Sequence, residues 1–121
     1  MPSLNFKAQF KNAILTGAKE QTIRATRKQP IKVGDKLCLF TGMRTKSCLG
    51  LGVVRCIRVR DIEIYTTCCS AIVRLEGKEL TPAQIDALAK DDGFLGATPF
   101  LNFFWDNHGA NFEGQLIEWR N

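Results

Sequence analysis

Apolar residues at Phe6, Phe10, Ala13 and Ile14 recur three and four positions apart, which places them on one face of a helix and predicts one over residues 7–16. Gly17 follows as a residue able to end that helix in a left-handed conformation. Gln21 to Thr26 then reads as a strand, Arg27 to Pro30 as a polar turn and Gly34-Asp35 as a tight turn, followed by a short apolar strand, Lys36 to Thr41. From Leu49 to Val59 the odd positions Leu49, Leu51, Val53, Ile57 and Val59 are apolar, broken only by Arg55, which is strand alternation. After Arg60 the apolar positions move to the even residues Ile62 and Ile64. A one-residue slip exchanges the two faces of a strand, so it predicts a bulge or sheet corner near Arg60-Asp61. Ser70 to Leu75 reads as a further strand.

Two helix starts carry local signals. Thr81-Pro82-Ala83-Gln84 offers a capping threonine, a proline at the first helical position and a glutamine at the capping-box position, with Gly93 as the stop. Thr98-Pro99 repeats the device, and the helix it opens carries Phe100, Leu101, Phe103, Phe104 and Trp105 before ending near Gly109. Phe112 to Arg120 supplies a last strand. Short strands interspersed with one early helix and two late ones give an α+β chain, a small β-barrel with flanking helices. The 121 residues suffice for one domain, 1–121, and contain no repeat, low-complexity segment or linker.

Charge and cysteine content narrow the partners. Residues 1–60 hold thirteen lysines and arginines against two acids, and residues 61–121 hold four against ten, so the protein is electrically two-sided unless folding interleaves the halves. No apolar run approaches the roughly 20 residues that cross a bilayer, and the N-terminus lacks a basic segment followed by an apolar one; a cytoplasmic monomer is expected. The cysteines, Cys38, Cys48, Cys56, Cys68 and Cys69, are odd in number and form no Cys-x-x-Cys pair, which fits reduced thiols, most of them buried as small hydrophobes. With a single histidine, His108, and no ligand-like spacing, no metal and no cofactor is expected.

The candidate chemistry lies in Gly17-Ala18-Lys19-Glu20-Gln21-Thr22-Ile23-Arg24. On an extended Thr22-Ile23-Arg24, Thr22 and Arg24 share one face and Ile23 points to the other. Lys19 reaches the Thr22 side only if the chain reverses between Gly17 and Glu20. A threonine hydroxyl needs a base to become a nucleophile, and a lysine beside an arginine and partly removed from water holds its proton less tightly. Arg24 can orient a carbonyl or phosphate oxygen through its fork of donors. Asp92, in the turn Asp91-Asp92-Gly93, is the carboxylate placed to carry a proton or position the lysine. Arg44, in the loop after the strand that ends at Thr41, is placed to line the same cleft. Tyr65, Trp105 and Trp119 read as core or rim packing, and His108 as a helix-end cap or dipole partner.

The spacing Gly17-x-Lys19-x-x-Thr22-x-Arg24 between a helix and a strand resembles the signature of the ASCH domain family, which is related to the PUA domains of RNA-modifying enzymes. Val33-Gly34-Asp35, Thr41-Gly42-Met43-Arg44, Ala89-x-x-Asp92-Gly93-Phe94, the aromatic helix at Phe100 to Trp105 and Phe112-x-Gly114-x-Leu116-Ile117-x-Trp119 agree in order over nearly the whole chain. The resemblance implies a PUA-like β-barrel and a basic cleft for a nucleoside or RNA ligand. Some small bacterial members are amidohydrolases that remove an acyl group from the exocyclic amine of cytidine with a lysine, a threonine and a glutamate. Their lysine and threonine match Lys19 and Thr22, their arginine matches Arg24, and the position aligned with their glutamate holds Asp92, one methylene shorter. Many other members carry glutamate where this chain has Thr22, so the threonine favours the hydrolase branch. The resemblance equally admits a non-catalytic RNA-binding module, in which Lys19, Arg24 and Arg44 grip the ligand, and more weakly a ribonuclease.

Overall fold

The computed structural model describes residues 2–26, 28–67 and 70–120; Arg27, in the expected turn, and Cys68 and Cys69 lie outside them. The elements are β1 (Ser3–Phe6), a 3-10 turn (Ala8–Phe10) running into α1 (Lys11–Leu15), β2 (Gln21–Ala25), β3 (Lys36–Thr41), β4 (Leu49–Thr66), β5 (Ala71–Leu75), β6 (Lys78–Glu79), α2 (Pro82–Asp91), α3 (Ala97–His108) and β7 (Asn111–Arg120). Among the described residues the fold is mixed α+β, one seven-stranded sheet with three helices. None of those helices is long and apolar enough to cross a membrane.

The sheet is organised by β4, whose 18 residues pair antiparallel with β3 in the first half, with β7 from Arg55 to Tyr65 and with β5 from Ile62 to Thr66. Beyond these, β1 lies parallel to β3 and β2 antiparallel to β7. The sheet curls until its end strands β1 and β2 approach, but no ladder joins them among the described residues. The expected barrel is therefore an open sheet. What spans the gap is a side chain: the Arg24 guanidinium of β2 donates to the Asn5 carbonyl of β1.

Each face of this sheet carries a core. Leu4, Phe6, Phe10, Ile14, Leu37 and Trp119 pack inside the curl, while Ile62, Leu116, Ile85, Leu88, Phe100 and Phe104 pack between the other face and α2 and α3. Ile117 and Trp119 belong to the first core and Phe112 and Leu116 to the second, so β7 is apolar on both sides. The same change of core explains the slip in β4: Val59 packs against the inner core and Ile62 against the helix-covered one. The bulge itself sits earlier than expected. Cys56 faces Trp119 and Arg58 faces Glu118, leaving Ile57 as the extra residue. Before it the even residues Val54 and Cys56 are buried, while the odd residues Leu49 and Val53 face solvent, so the apolar alternation marks the outer face there.

The early helix is also shorter than its apolar spacing suggests, because Phe6 closes β1 and helical geometry starts only at Ala8. At α2 the capping box forms as expected: Thr81 Oγ1 accepts from the Gln84 amide and Gln84 Oε1 accepts from the Thr81 amide. Thr81→Ala should cost about 1 kcal/mol, read as a melting temperature lower by roughly 4 °C. The threonine of Thr98-Pro99 plays no such part. Helix α3 begins two residues earlier than that device implies, at Ala97, whose amide donates to Asp86 Oδ1 on α2, 3.1 Å away.

The two charge halves are interleaved. Glu118 of β7 takes hydrogen bonds from Arg58 and Arg60 of β4, and Lys19 meets Asp92. Of the described cysteines, only Cys56 is buried; Cys38 is half-buried and Cys48 exposed.

Candidate functional site

After α1 the chain reverses through Gly17, which adopts φ 82°, and the Lys19 amide donates to the Ala13 carbonyl. The reversal turns the Lys19 side chain inward, where it is 2% exposed. Its amine donates to two oxygens of Asp92, the backbone carbonyl and Oδ1, the latter at 3.0 Å. It also lies 4.7 Å from the Phe10 ring centroid and 5.8 Å from that of Phe6, both faces suited to a cation.

Asp92 sits just past α2 as its C-cap, 4% exposed, and Gly93 next to it takes φ 95°. A Cβ at Gly93 would stand 3.0 Å from the Phe10 ring and 3.3 Å from the Lys19 stem, so a glycine there permits both the turn and the close approach of the lysine.

Thr22 and Arg24 come from β2. Thr22 is buried, and its Oγ1 accepts from Arg24 Nε at 3.1 Å. The Arg24 guanidinium also stacks 4.7 Å from the Phe6 ring. Thr22 and Arg24, two residues apart on an extended strand, share one face as expected, and Ile23 packs into the helix-covered core.

Lys19, Thr22, Arg24 and Asp92 all line one cavity of about 350 Å³. Arg44 does not: it is exposed on the loop between β3 and β4 with φ 65°, while the preceding Met43 amide donates to Asn5 Oδ1 and ties the loop to β1. Much of the remaining lining is aromatic, chiefly Phe6, Phe10, Phe94 and Phe103, with Lys7 4.8 Å over the Phe103 ring and Asn5 and Asn107 adding polar groups. The spacing of Phe6 and Phe10 reads in the sequence only as a helix face, and Phe94, two residues after Asp92, and Phe103, in the aromatic helix, carry no sign there that they line the cleft. His108 also lines the cavity, its ring stacked on Phe104. Trp119 is buried as expected, whereas Trp105 is half exposed and stands outside the cavity.

Burial dominates the electrostatics. It lowers the proton affinity of Lys19, with Asp92 opposing and Arg24 adding to the lowering. It raises that of Asp92, opposed by Lys19, by the nearby Gln21 carboxamide and by Arg24. Gln21 Nε2 is buried without a hydrogen bond of full geometry, so its influence on Asp92 is that of a nearby dipole. Burial thus works against both charges and favours moving the shared proton from nitrogen toward oxygen, while the attraction between the two groups opposes the transfer. A neutral amine can accept a proton and an acid can donate one, and a threonine hydroxyl and an arginine stand in the same cavity.

Among the described residues no group of three His, Cys, Asp or Glu side chains converges on a point that could hold a metal ion. Comparison of the chain with protein-family models, curated proteins and solved structures gives no match, so the site is read from its own geometry.

Proposed function

We propose that the Lys19 cavity is a hydrolytic site that removes the acyl group from the exocyclic amine of an N4-acylated cytidine, in a chain of ASCH type. The observation that carries this reading is the buried Lys19–Asp92 pair in one cavity with the Thr22–Arg24 pair. The match of Lys19, Thr22 and Arg24 to the hydrolase motif adds the substrate. A cavity of about 350 Å³ is at the small end of ligand sites and suits one nucleoside rather than a length of RNA.

In the proposed reaction Thr22 Oγ attacks the amide carbonyl carbon, and its proton passes to the neutral amine of Lys19. Lys19 donates to Asp92 in the resting structure, so attack requires its amine to swing toward Thr22. Arg24 holds Thr22 Oγ as an acceptor through Nε and supplies positive charge to the developing oxyanion. The Asp92 acid then gives its proton to the departing nitrogen as the C–N bond breaks, leaving an acyl ester on Thr22. Water attacks that ester, its proton returns to the Asp92 carboxylate, and the Lys19 ammonium reprotonates Thr22, restoring the starting state.

Incubation with N4-acetylcytidine should release cytidine and acetate. Thr22→Ala should lower the rate by about a hundredfold or more, and Thr22→Ser should retain part of it. Absence of release at high enzyme concentration overturns the reading. The aromatic lining and the cations over Phe6, Phe10 and Phe103 favour a second reading, capture of an unmodified base as part of an RNA-binding module. That reading requires Thr22→Ala to leave RNA affinity unchanged.

A further inference from the structure

The register of the sheet places three cations side by side on its outer face. Lys36 of β3 is directly opposite Arg55 of β4, and Arg55 is directly opposite Arg120 of β7. Direct cross-strand partners project from the same face, and the inward neighbours Leu37, Val54 and Trp119 fix that face as the outer one. With strands about 4.8 Å apart, the row spans roughly 10 Å. All three residues are exposed and none forms an ion pair among the described residues. Like charges directly opposite one another destabilise a sheet, and the acids nearby are committed elsewhere: Asp35 accepts from the Lys32 amide and Glu118 from Arg58 and Arg60.

Apolar groups flank the row. Val53 and Ile57 are 59% and 42% exposed, and with the three cations they line a shallow depression of about 430 Å³. Phe40 lies on the same face of β3, four residues or roughly 13 Å from Lys36. Gly50 is directly opposite it, and a Cβ there would touch the ring at 3.8 Å, so one side of the half-buried ring has no side chain across the strand to cover it.

We propose that this outer face of β3, β4 and β7 binds a single strand of nucleic acid, with phosphates on Lys36, Arg55 and Arg120 and a base or sugar over Phe40 and Val53. The charge complementarity selects a polyanion. An isolated anion gains little on an exposed, hydrated surface, whereas a charged polymer gains by releasing a counterion at each neutralised phosphate. The aromatic and β-branched flank selects nucleic acid among polyanions, because a base stacks on such a surface. This site is separate from the Lys19 cavity, which none of its residues lines.

The test is fluorescence anisotropy of a labelled oligouridylate of twelve nucleotides with the full chain. Three phosphate contacts predict a log–log salt slope of about −2, and Arg55→Glu should weaken binding at least tenfold and flatten that slope by about one. The melting temperature of Arg55→Glu should equal or exceed that of the wild type, since an acid then stands between Lys36 and Arg120, so misfolding would not mimic lost binding. A triple Lys36→Ser, Arg55→Ser, Arg120→Ser variant should bind no better than Arg55→Glu. Unchanged oligonucleotide affinity in these variants overturns the proposal, as does salt-independent binding. Loss of binding to phosphatidylserine vesicles with oligonucleotide affinity unaffected would assign the face to a membrane instead.

Discussion

Lys19→Met should reduce the release of cytidine from N4-acetylcytidine by about a thousandfold while giving a folded protein. The methionine keeps the length and apolar stem of the side chain, so Phe6 and Phe10 retain their packing and only the amine is lost. Removing one partner of a buried ion pair ordinarily costs about 3–5 kcal/mol because the other is left charged. Burial already raises the proton affinity of Asp92, so here the orphaned carboxyl takes up a proton and the cost is smaller. The pH dependence has a definite sign. Lys19, with its folded pKa below 10.5, contributes most above that value and loses its contribution as pH falls through the folded pKa. Asp92, with its folded pKa above 3.8, contributes most below that value and loses its contribution as pH rises through the folded pKa. At neutral pH neither contribution is fully present, and a double variant, Lys19→Met with Asp92→Asn, should melt at or above the wild type there. Full turnover in folded Lys19→Met removes the amine from the reaction. A double variant that melts well below the wild type would make the pair a structural support instead of a site maintained at a cost in stability.

How much of this was legible depends on whether the signal was local. The α2 cap, the reversal at Gly17 and the pairing of Thr22 with Arg24 on one face depend on residues within a few positions of one another, and the sequence exposes such relations directly. Barrel closure is not written in the sequence, because it depends on β1 and β2, whose edges are near each other only through the tertiary curl, and a side chain of Arg24 occupies the gap. Strand β1 itself was hidden because Phe6, Phe10 and Ile14 fall at helical spacing although Phe6 lies on a strand. In β4 the alternation of Leu49 and Val53 was real but did not say which face was inward; the tertiary fold buries Val54 and Cys56 instead. The approach of Asp92 to Lys19 spans 73 positions and was reachable only through chemistry, as a carboxylate that a lysine and a threonine would need. Phe94 and Phe103 carry no such requirement, and their place in the cavity follows from how the segment after α2 and helix α3 pack against the sheet.

Gly114→Ala should be the most damaging single methyl group added to the chain, lowering the melting temperature by roughly 10 °C. The position needs no unusual backbone angle; what it lacks is room. A Cβ there would lie 2.2 Å from the Arg24 carbonyl oxygen, 2.8 Å from the Arg24 carbonyl carbon and 2.8 Å from the Phe112 ring. Phe112 sits in the helix-covered core and has little freedom to retreat, and the Arg24 carbonyl belongs to β2, which is laddered to β7 at this point. Relief therefore has to come from β2 moving away from β7. That strand carries Thr22 and Arg24, and a displacement of about 1 Å at a reacting group costs on the order of a hundredfold in rate. The expected result is a joint loss, lower stability and slower release of cytidine, from a residue that contributes no side-chain chemistry. A variant that melts within about 2 °C of the wild type, near the limit of what a surface substitution does, would mean that β2 and β7 are not packed at this separation. The placement of Thr22 in the Lys19 cavity would then lose its structural basis.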